Sequence, residues 1–160
     1  MTASLGSMVK KYQARGFFPV DQILPGDIQW CLQSNVSIYK GDVVLASSGY
    51  GTAAGTDITQ NILGIAAHTY DNSGGSAGDV LLPVYVVRRG LRFIVPVEGV
   101  LITQAAVGVM YDIGTYAYSI LISDTGTAGD YGFKVTAIDV SADALKGNSY
   151  GYAVGYFEIT

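Results

Sequence analysis

Short apolar runs alternate with glycine, asparagine, aspartate and serine along most of this chain. Runs of about four to eight residues bounded by such turn residues are typical of β-strands. The clearest alternation places Tyr131, Phe133 and Val135 on one face and Lys134 and Thr136 on the other, which predicts a strand with one face in water. We expect strands near residues 28–33, 36–46, 62–68, 80–88, 92–98, 100–104, 107–112, 118–123, 131–140 and 150–159.

Helix formers are scarce over the same residues, and Glu98 and Glu158 are the two glutamates of the chain. One short helix is predicted between Ser141, which would cap its first turn, and Gly147, which would end it. A chain of 160 residues is expected to bury one hydrophobic core. The predicted fold class is all-β: a single compact β-barrel or β-sandwich domain of short strands, with an extended N-terminal arm and at most one short helix.

The first residues of the chain follow a different pattern. Leu5, Met8, Val9 and Tyr12 fall at helical spacing, in a segment too short to be a stable helix without a neighbour. Two aromatic residues and a proline follow at residues 17–19, and a Pro-Gly-Asp turn signal lies at residues 25–27. We therefore expect an extended arm over residues 1–28 and a β-barrel-like domain over residues 29–160. The arm either folds back on its own domain or reaches a neighbouring subunit.

The last predicted strand has two unlike faces. Tyr150, Tyr152 and Tyr156 share one face, whereas Gly151 and Gly155 lie on the other. Glycine inside a strand marks a bulge or the close approach of another backbone, and that approach is either internal or from another subunit. A tyrosine ring buries area while its hydroxyl keeps a polar partner, which suits strand packing, subunit interfaces and sugar platforms. The three tyrosines are therefore candidate subunit-interface residues.

Composition favours a protein whose surface is covered by partners. Hydrophobic residues make up 49% of the chain, charged residues make up 14%, and the mean hydropathy is +0.33. Ordinary soluble domains carry about 25% charged residues, so the apolar surplus indicates either a bilayer or other protein subunits. No apolar run approaches the roughly 20 residues of a spanning helix. We therefore expect protein partners and no membrane.

The formal net charge of −4 gives no electrostatic reason to expect a nucleic-acid partner. Six of the nine basic residues form two clusters, one before the first predicted strand and one in a turn between two apolar runs: Lys10, Lys11 and Arg15, then Arg88, Arg89 and Arg92. The second cluster is either a solvated turn or a contact with an acidic protein surface. The N-terminus has no secretion-signal pattern, which predicts cytoplasmic synthesis.

The side chains needed for most catalytic sites are scarce. His68 is the one histidine and Cys31 the one cysteine, so a zinc site is excluded and one nucleophile-base pair is conceivable. The loop that starts at Asp71 begins like a calcium loop, but Ser76 replaces its required glycine and Leu82 its bidentate glutamate. We predict that the protein is not an enzyme and has no cofactor or metal.

Several of these segments together resemble the capsid decoration proteins, also called cement or head-stabilising proteins, of tailed bacteriophages. They are residues 36–44 (VSIYKGDVV), 62–66 (ILGIA), 78–80 (GDV), 84–86 (VYV), 93–99 (FIVPVEG), 106–112 (AVGVMYD) and 133–135 (FKV). The resemblance covers roughly residues 29–160.

The resemblance implies a virion structural protein without catalytic activity. It would be made in the host cytoplasm, bind the major capsid protein on the outer capsid surface, and self-associate as a homotrimer. An N-terminal arm laid over neighbouring capsid subunits would suit that family. The candidate capsid contacts are Lys10, Lys11, Arg15, Phe17 and Phe18, and the candidate subunit interface comprises Tyr150, Tyr152, Tyr156, Arg88, Arg89 and Arg92.

Three other functions are compatible with the sequence. A tail-tube or baseplate subunit would share the β-rich, weakly charged composition. A carbohydrate-binding or host-adhesion module would use the carboxy-terminal tyrosines as its platform. An enzyme would have to bring together aspartates such as Asp71, Asp79 and Asp112 and raise the pKa of one carboxyl strongly.

Overall fold

A computed structural model describes residues 16–54, 61–113, 117–125 and 131–159. Within these residues the regular secondary structure is mostly β, with one short α-helix and two 3-10 turns. The strands are β1 Phe18–Pro19, β2 Ile28–Leu32, β3 Ser37–Ile38, β4 Val43–Ser47, β5 Tyr50–Ala53, β6 Ile62–Ala66, β7 Tyr70–Asp71, β8 Leu81–Tyr85, β9 Phe93–Glu98, β10 Met110–Ile113, β11 Ile120–Thr125, β12 Tyr131–Asp139 and β13 Tyr152–Ile159. The helix α1 is Ala142–Gly147, and the 3-10 turns are Pro25–Asp27 and Gln104–Ala106.

Five strands close into a barrel in the order β9-β11-β10-β12-β13, because β13 pairs again with β9. The β9–β11 pair is parallel and the other four pairs are antiparallel. The alternation of β12 points Phe133 and Val135 inward, where both are fully buried. The predicted all-β barrel with one short helix is therefore confirmed.

The first described residues of the chain lie in and beside the barrel core. Phe17 is 2% exposed, and its ring lies 5.0 Å from that of Phe157 and 5.3 Å from that of Phe133, measured between centroids. The next residues form β1, which pairs antiparallel with β9. Residues 16–28 of the predicted arm are thus packed on the domain, whereas residues 1–15 lie outside the described residues.

A second sheet, in the order β2-β8-β6-β4-β5, lies between two cores. Val43 and Ile65 belong to the barrel core, while their neighbours Val44 and Ala66 belong to a separate core on the other face of the sheet. A parallel bridge between Gln33 and Gly51 brings the two edges of this sheet together. The small sheet β3-β7 contributes Ile38 to the second core.

Helix α1 covers part of the outside of the barrel. The Ser141 side chain accepts a hydrogen bond from the Ala144 N–H at 3.3 Å, which confirms the predicted N-cap. Ala144 packs with Tyr152, and Phe18 packs against the same cluster. The helix and β1 therefore share one patch of the outer barrel wall.

Three strand predictions were wrong in detail. The strand expected over residues 36–46 is split into β3 and β4 by a turn in which the Tyr39 N–H donates to Asp42 Oδ2 at 3.0 Å, with Gly41 at a φ of 93°. Residues 50–53, which lie outside the predicted strands, form β5 because they pair with β4. Residues 100–104 are not a strand, since Gly99 at a φ of 96° turns the chain out of β9.

Candidate interaction surfaces

Two arginines of the turn between β8 and β9 hold the segment that joins β1 to β2. Arg88 donates from Nε and Nη2 to Oδ1 of Asp27 at 2.9 and 2.6 Å. Arg92 donates from Nε and Nη2 to the two oxygens of Asp21 at 3.1 and 2.9 Å. The Leu24 N–H and the Arg88 guanidinium hold the pKa of Asp27 below its usual range, and Arg92 does the same for Asp21. Both arginines thus tie distant segments of the chain together.

The third arginine pairs with the carboxy-terminal strand. Arg89 Nη2 lies 2.6 Å from Glu158 Oε1, and its guanidinium carbon lies 5.7 Å from the centroid of the Tyr156 ring. This contact with Arg89 lowers the pKa of Glu158. The three arginines therefore all have carboxylate partners within the chain. Their place at a subunit interface stays a prediction. A subunit contact made by these arginines would be additional to their ion pairs within the chain.

The carboxy-terminal tyrosines do not form one platform. Tyr152 is fully buried beneath α1 and β1, so its assignment to a subunit interface was wrong. Burial and the nearby Asp139 carboxylate raise the pKa of its hydroxyl. Tyr156 is partly buried beside Arg89, while Tyr150 is 39% exposed. Tyr150 is the one exposed residue of the three.

The candidate capsid contacts at the start of the chain separate into three groups. Phe17 was wrongly assigned as a contact, because its ring fills the barrel core. Phe18 is partly buried against the outer cluster around Tyr152. Lys10, Lys11 and Arg15 lie outside the described residues.

An exposed apolar surface that the sequence reasoning missed lies on β2 and β8. Trp30 is paired with Pro83 and Leu32 with Leu81, so the four side chains share one side of the sheet. Trp30 is 61% exposed, Leu32 46% and Leu81 51%. We call these four residues the Trp30 face. No aspartate, glutamate, lysine or arginine lies in residues 28–39 or 80–87, so the strands that build the face carry no charge.

The orientation of β2 is opposite to the one that its sequence favours. Trp30 and Leu32 alternate with Cys31 and Gln33, and the larger apolar side chains would be expected to point inward. Instead Cys31 packs on the second core and Gln33 is fully buried. The Gln33 Nε2 donates to the carbonyl oxygens of Val36 at 2.7 Å and Tyr70 at 3.0 Å, whereas its buried Oε1 has no hydrogen-bond partner among the described residues. The apolar side of β2 therefore remains in solvent.

A second exposed apolar surface lies beside α1. The Ile102 N–H donates to the Tyr150 carbonyl at 3.0 Å, and a side chain added at Gly151 would meet Val140 Cγ1 at 3.0 Å and Ile102 Cγ2 at 3.1 Å. These contacts place Ile102 beside Tyr150 and Val140, and we call the exposed apolar residues of these adjoining segments the Tyr150 patch. They are Val100, Leu101, Val140 and Tyr150, with exposures of 54%, 48%, 38% and 39%.

The described residues give little support to a catalytic or metal centre. They contain no group of three or more histidine, cysteine or acidic side chains placed to hold a metal ion. Burial raises the pKa of the Cys31 thiol, which disfavours its nucleophilic thiolate form. The Asp71 carboxylate is occupied by the Ser73 and Ser37 hydroxyls, which hold its pKa at about 2.

No protein-family model and no curated protein matches this chain. In the described part of the chain, none of the helices has the length and apolar character needed to cross a bilayer.

We expect the protein to lose stability in acid. Asp21, Asp27 and Glu158 have folded-state pKa values below their ordinary values of 3.8 for aspartate and 4.5 for glutamate. Their stabilisation is complete above those ordinary values and is lost as the pH falls through the lower folded-state values. For Asp71 this loss extends to about pH 2. The test is the urea midpoint of unfolding measured from neutral pH down to this range.

The control for the acid series is Asp27→Asn, which removes one of these carboxylates. We expect this variant to be less stable than the wild type at neutral pH and to lose less on acidification. Parallel curves for the two proteins would contradict a stabilising role for the Asp27–Arg88 pair.

Proposed function

We propose that this protein is a non-enzymatic virion structural protein that binds the outside of a phage head as a decoration, or cement, protein, and that the Trp30 face is its principal docking surface. The resemblance of residues 29–160 to that family supports the proposal. The low charged fraction of 14% and the all-β barrel are consistent with it. The major capsid protein would be the partner, and the contact would link its capsomers.

The observation that carries the proposal is the exposure of Trp30 and Leu32 on a strand whose other side buries Gln33. A strand that served only its own domain would gain more from the opposite orientation, because burying a large apolar side chain contributes about 1.5–3 kcal/mol. Tryptophan is also among the residues that most often dominate the affinity of protein interfaces. The Trp30 face therefore suits a surface that becomes buried on assembly.

The charge of the face specifies the chemistry of its partner. Because β2 and β8 carry no charged residue, an opposing charged group would be desolvated without a counter-charge. The matching surface on the shell should therefore be apolar. Binding through such a contact should depend weakly on salt, unlike binding steered by surface charges.

The arm and self-association belong to the same proposal. Lys10, Lys11 and Arg15 remain candidate contacts with the shell, and a homotrimer remains the expected oligomer. A truncation that tests the arm should end at residue 15, because Phe17 fills the barrel core and its loss would damage the fold. Native mass measurement of the purified protein would determine the oligomeric state.

Trp30→Glu should weaken binding to purified phage heads at least tenfold, since it places a carboxylate in an interface with no charged partner. The matched control is Ile159→Glu, which introduces the same charge at an apolar residue of similar exposure, 54%, at the end of β13. Sedimentation of each variant with heads measures the effect. Unchanged binding of Trp30→Glu would overturn the role of the Trp30 face.

Trp30 is the one tryptophan of the chain, so its fluorescence reports on this surface without labelling. The free protein should show the long-wavelength emission of a hydrated indole, and the emission should shift to shorter wavelength on heads. A shift produced by oligosaccharides and absent with heads would favour the host-adhesion function. Stacked rings of the purified protein would favour the tail-tube function.

A further inference from the structure

Helix α1 closes over a buried hydroxyl group. The Tyr152 side chain is fully buried in the outer cluster that also contains Ala144 of α1 and Ile94 of β9. Its hydroxyl oxygen has no hydrogen-bond partner among the described residues. The carboxylate of Asp139, its cross-strand neighbour, accepts from the Ser141 N–H at 3.0 Å. A buried hydroxyl without a partner is costly, because the same group in water would make hydrogen bonds.

Helix α1 is attached to the barrel by few contacts. Among its described side chains Ala144 is the one that is buried, and Leu145 is half-buried. Asn148, which follows the helix, donates from Nδ2 to the Val97 carbonyl of β9 at 3.2 Å. With six residues, α1 is also much shorter than the roughly 12–15 residues that an isolated helix needs. The helix therefore depends on a small apolar contact with the barrel wall.

The contributions to this contact oppose one another. Closing α1 buries the Ala144 methyl group and helps to cover the Tyr152 ring, which favours the closed position. Closing α1 also keeps the Tyr152 hydroxyl from water, which opposes it, and an unpaired buried hydroxyl costs at least as much as burying one methyl group gains. The strand beneath is held independently, because Tyr152 pairs with Pro96 of β9 and with Asp139 of β12. Lifting the helix should therefore require far less free energy than unfolding the barrel.

We propose that α1 is a lid that opens from the barrel wall while the barrel stays folded, and that the unpaired Tyr152 hydroxyl sets how often it opens. The hydroxyl gains water when the lid is open and loses it when the lid closes. Opening also uncovers the Tyr152 ring close to Tyr150, so it enlarges the apolar surface beside the Tyr150 patch. This inference goes beyond the proposed function, because it concerns a motion of the free protein.

Hydrogen exchange of the full-length protein, measured residue by residue by NMR, tests the lid. The reporters are the N–H groups of Leu145 and Asn148, which donate to carbonyl groups of the helix segment. The reference is the Val135 N–H of β12, which donates to a carbonyl group within the barrel. After correction for intrinsic exchange rates, both reporters should exchange at least tenfold faster than the reference in the wild type, because lid opening exposes them without unfolding.

Tyr152→Phe removes the hydroxyl and keeps the ring, so it should slow exchange at both reporters about tenfold. The matched control is Tyr150→Phe, which removes the hydroxyl of an exposed ring and should leave both rates unchanged. Reporters that exchange as slowly as Val135 in the wild type would overturn the proposal. A Tyr152→Phe variant with unchanged reporters, or with slower exchange at Val135 alone, would also overturn it, because the hydroxyl would then gain water only on unfolding.

A second pair of variants tests the contact that closes the lid. Ala144→Gly and Ala142→Gly both lower helix propensity, but Ala144 is buried and Ala142 is exposed. Ala144→Gly should therefore speed exchange at the reporters about threefold more than Ala142→Gly. Equal effects would show that Ala144 does not hold the lid and would contradict the proposal. None of these measurements involves phage heads, so failure here leaves the proposed function standing.

Discussion

Phe17→Ala should lower the free energy of unfolding by about 3–5 kcal/mol, the usual cost of deleting a buried aromatic ring from a core. The Phe17 ring is 2% exposed and packs edge-on or tilted against Phe93, Phe133 and Phe157, with centroids 5.0–6.4 Å away. Three of the four rings come from strands of the closed barrel, so the cavity left by alanine lies at its centre. Chemical denaturation of the full-length protein measures the loss.

The matched control is Phe18→Ala, which removes the same ring one residue further along. Phe18 is only partly buried on the outer cluster, so its loss should cost clearly less. A Phe17→Ala protein as stable as the wild type would show that Phe17 belongs to a detachable arm. The sequence alone assigned the two phenylalanines to the same role, and this pair of variants separates them.

The local elements of the fold were predictable from the sequence. The alternation of Tyr131, Phe133 and Val135 identified β12, and Ser141 and Gly147 marked α1, because strand period and capping depend on near neighbours. The barrel order was not predictable. It depends on pairs such as Ile120 with Val97 in the parallel β9–β11 contact, and residues so far apart leave no local signal.

The candidate sites were harder to predict for the same reason. The partners of Arg88 and Arg92 are Asp27 and Asp21, which lie 61 and 71 residues away. Nothing in the local sequence therefore indicates that these arginines form ion pairs within the chain. The Trp30 face was missed because alternation gives the two sides of a strand without saying which side is inside. Here the inner side carries Gln33, whose Nε2 donates to two backbone carbonyl groups.

The two exposed apolar surfaces support different kinds of contact. The Trp30 face lies on strands without a charged residue and suits an apolar interface, whereas the Tyr150 patch lies beside α1, which carries both Asp143 and Lys146. A protein that must remain soluble before assembly gains from covering one of them, since large exposed apolar patches promote association.

Gly155→Ala should destabilise the barrel by about 3 kcal/mol, at the upper end of the cost of overpacking a core. Gly155 of β13 pairs with Val135 of β12 next to a shift in register. A Cβ atom there would collide with the carbonyl oxygen of Lys134 and meet Phe133 Cε1 at 3.0 Å. The Lys134 obstacle is backbone, so relief requires β12 to move. The close approach that glycine in this strand predicted is therefore internal to the barrel.

The matched control is Gly74→Ala, where an added Cβ would meet nothing within 4 Å and the effect should stay within about 0.5 kcal/mol. Denaturation of both variants at neutral pH gives the comparison. If Gly155→Ala were as stable as Gly74→Ala, β12 and β13 could not be packed as closely as described.

Because β12 and β13 adjoin in the closed barrel and β13 carries the Glu158 contact to Arg89, a shift of β12 should also weaken that ion pair. The Gly155→Ala protein should then lose less stability than the wild type when Glu158 is protonated in acid.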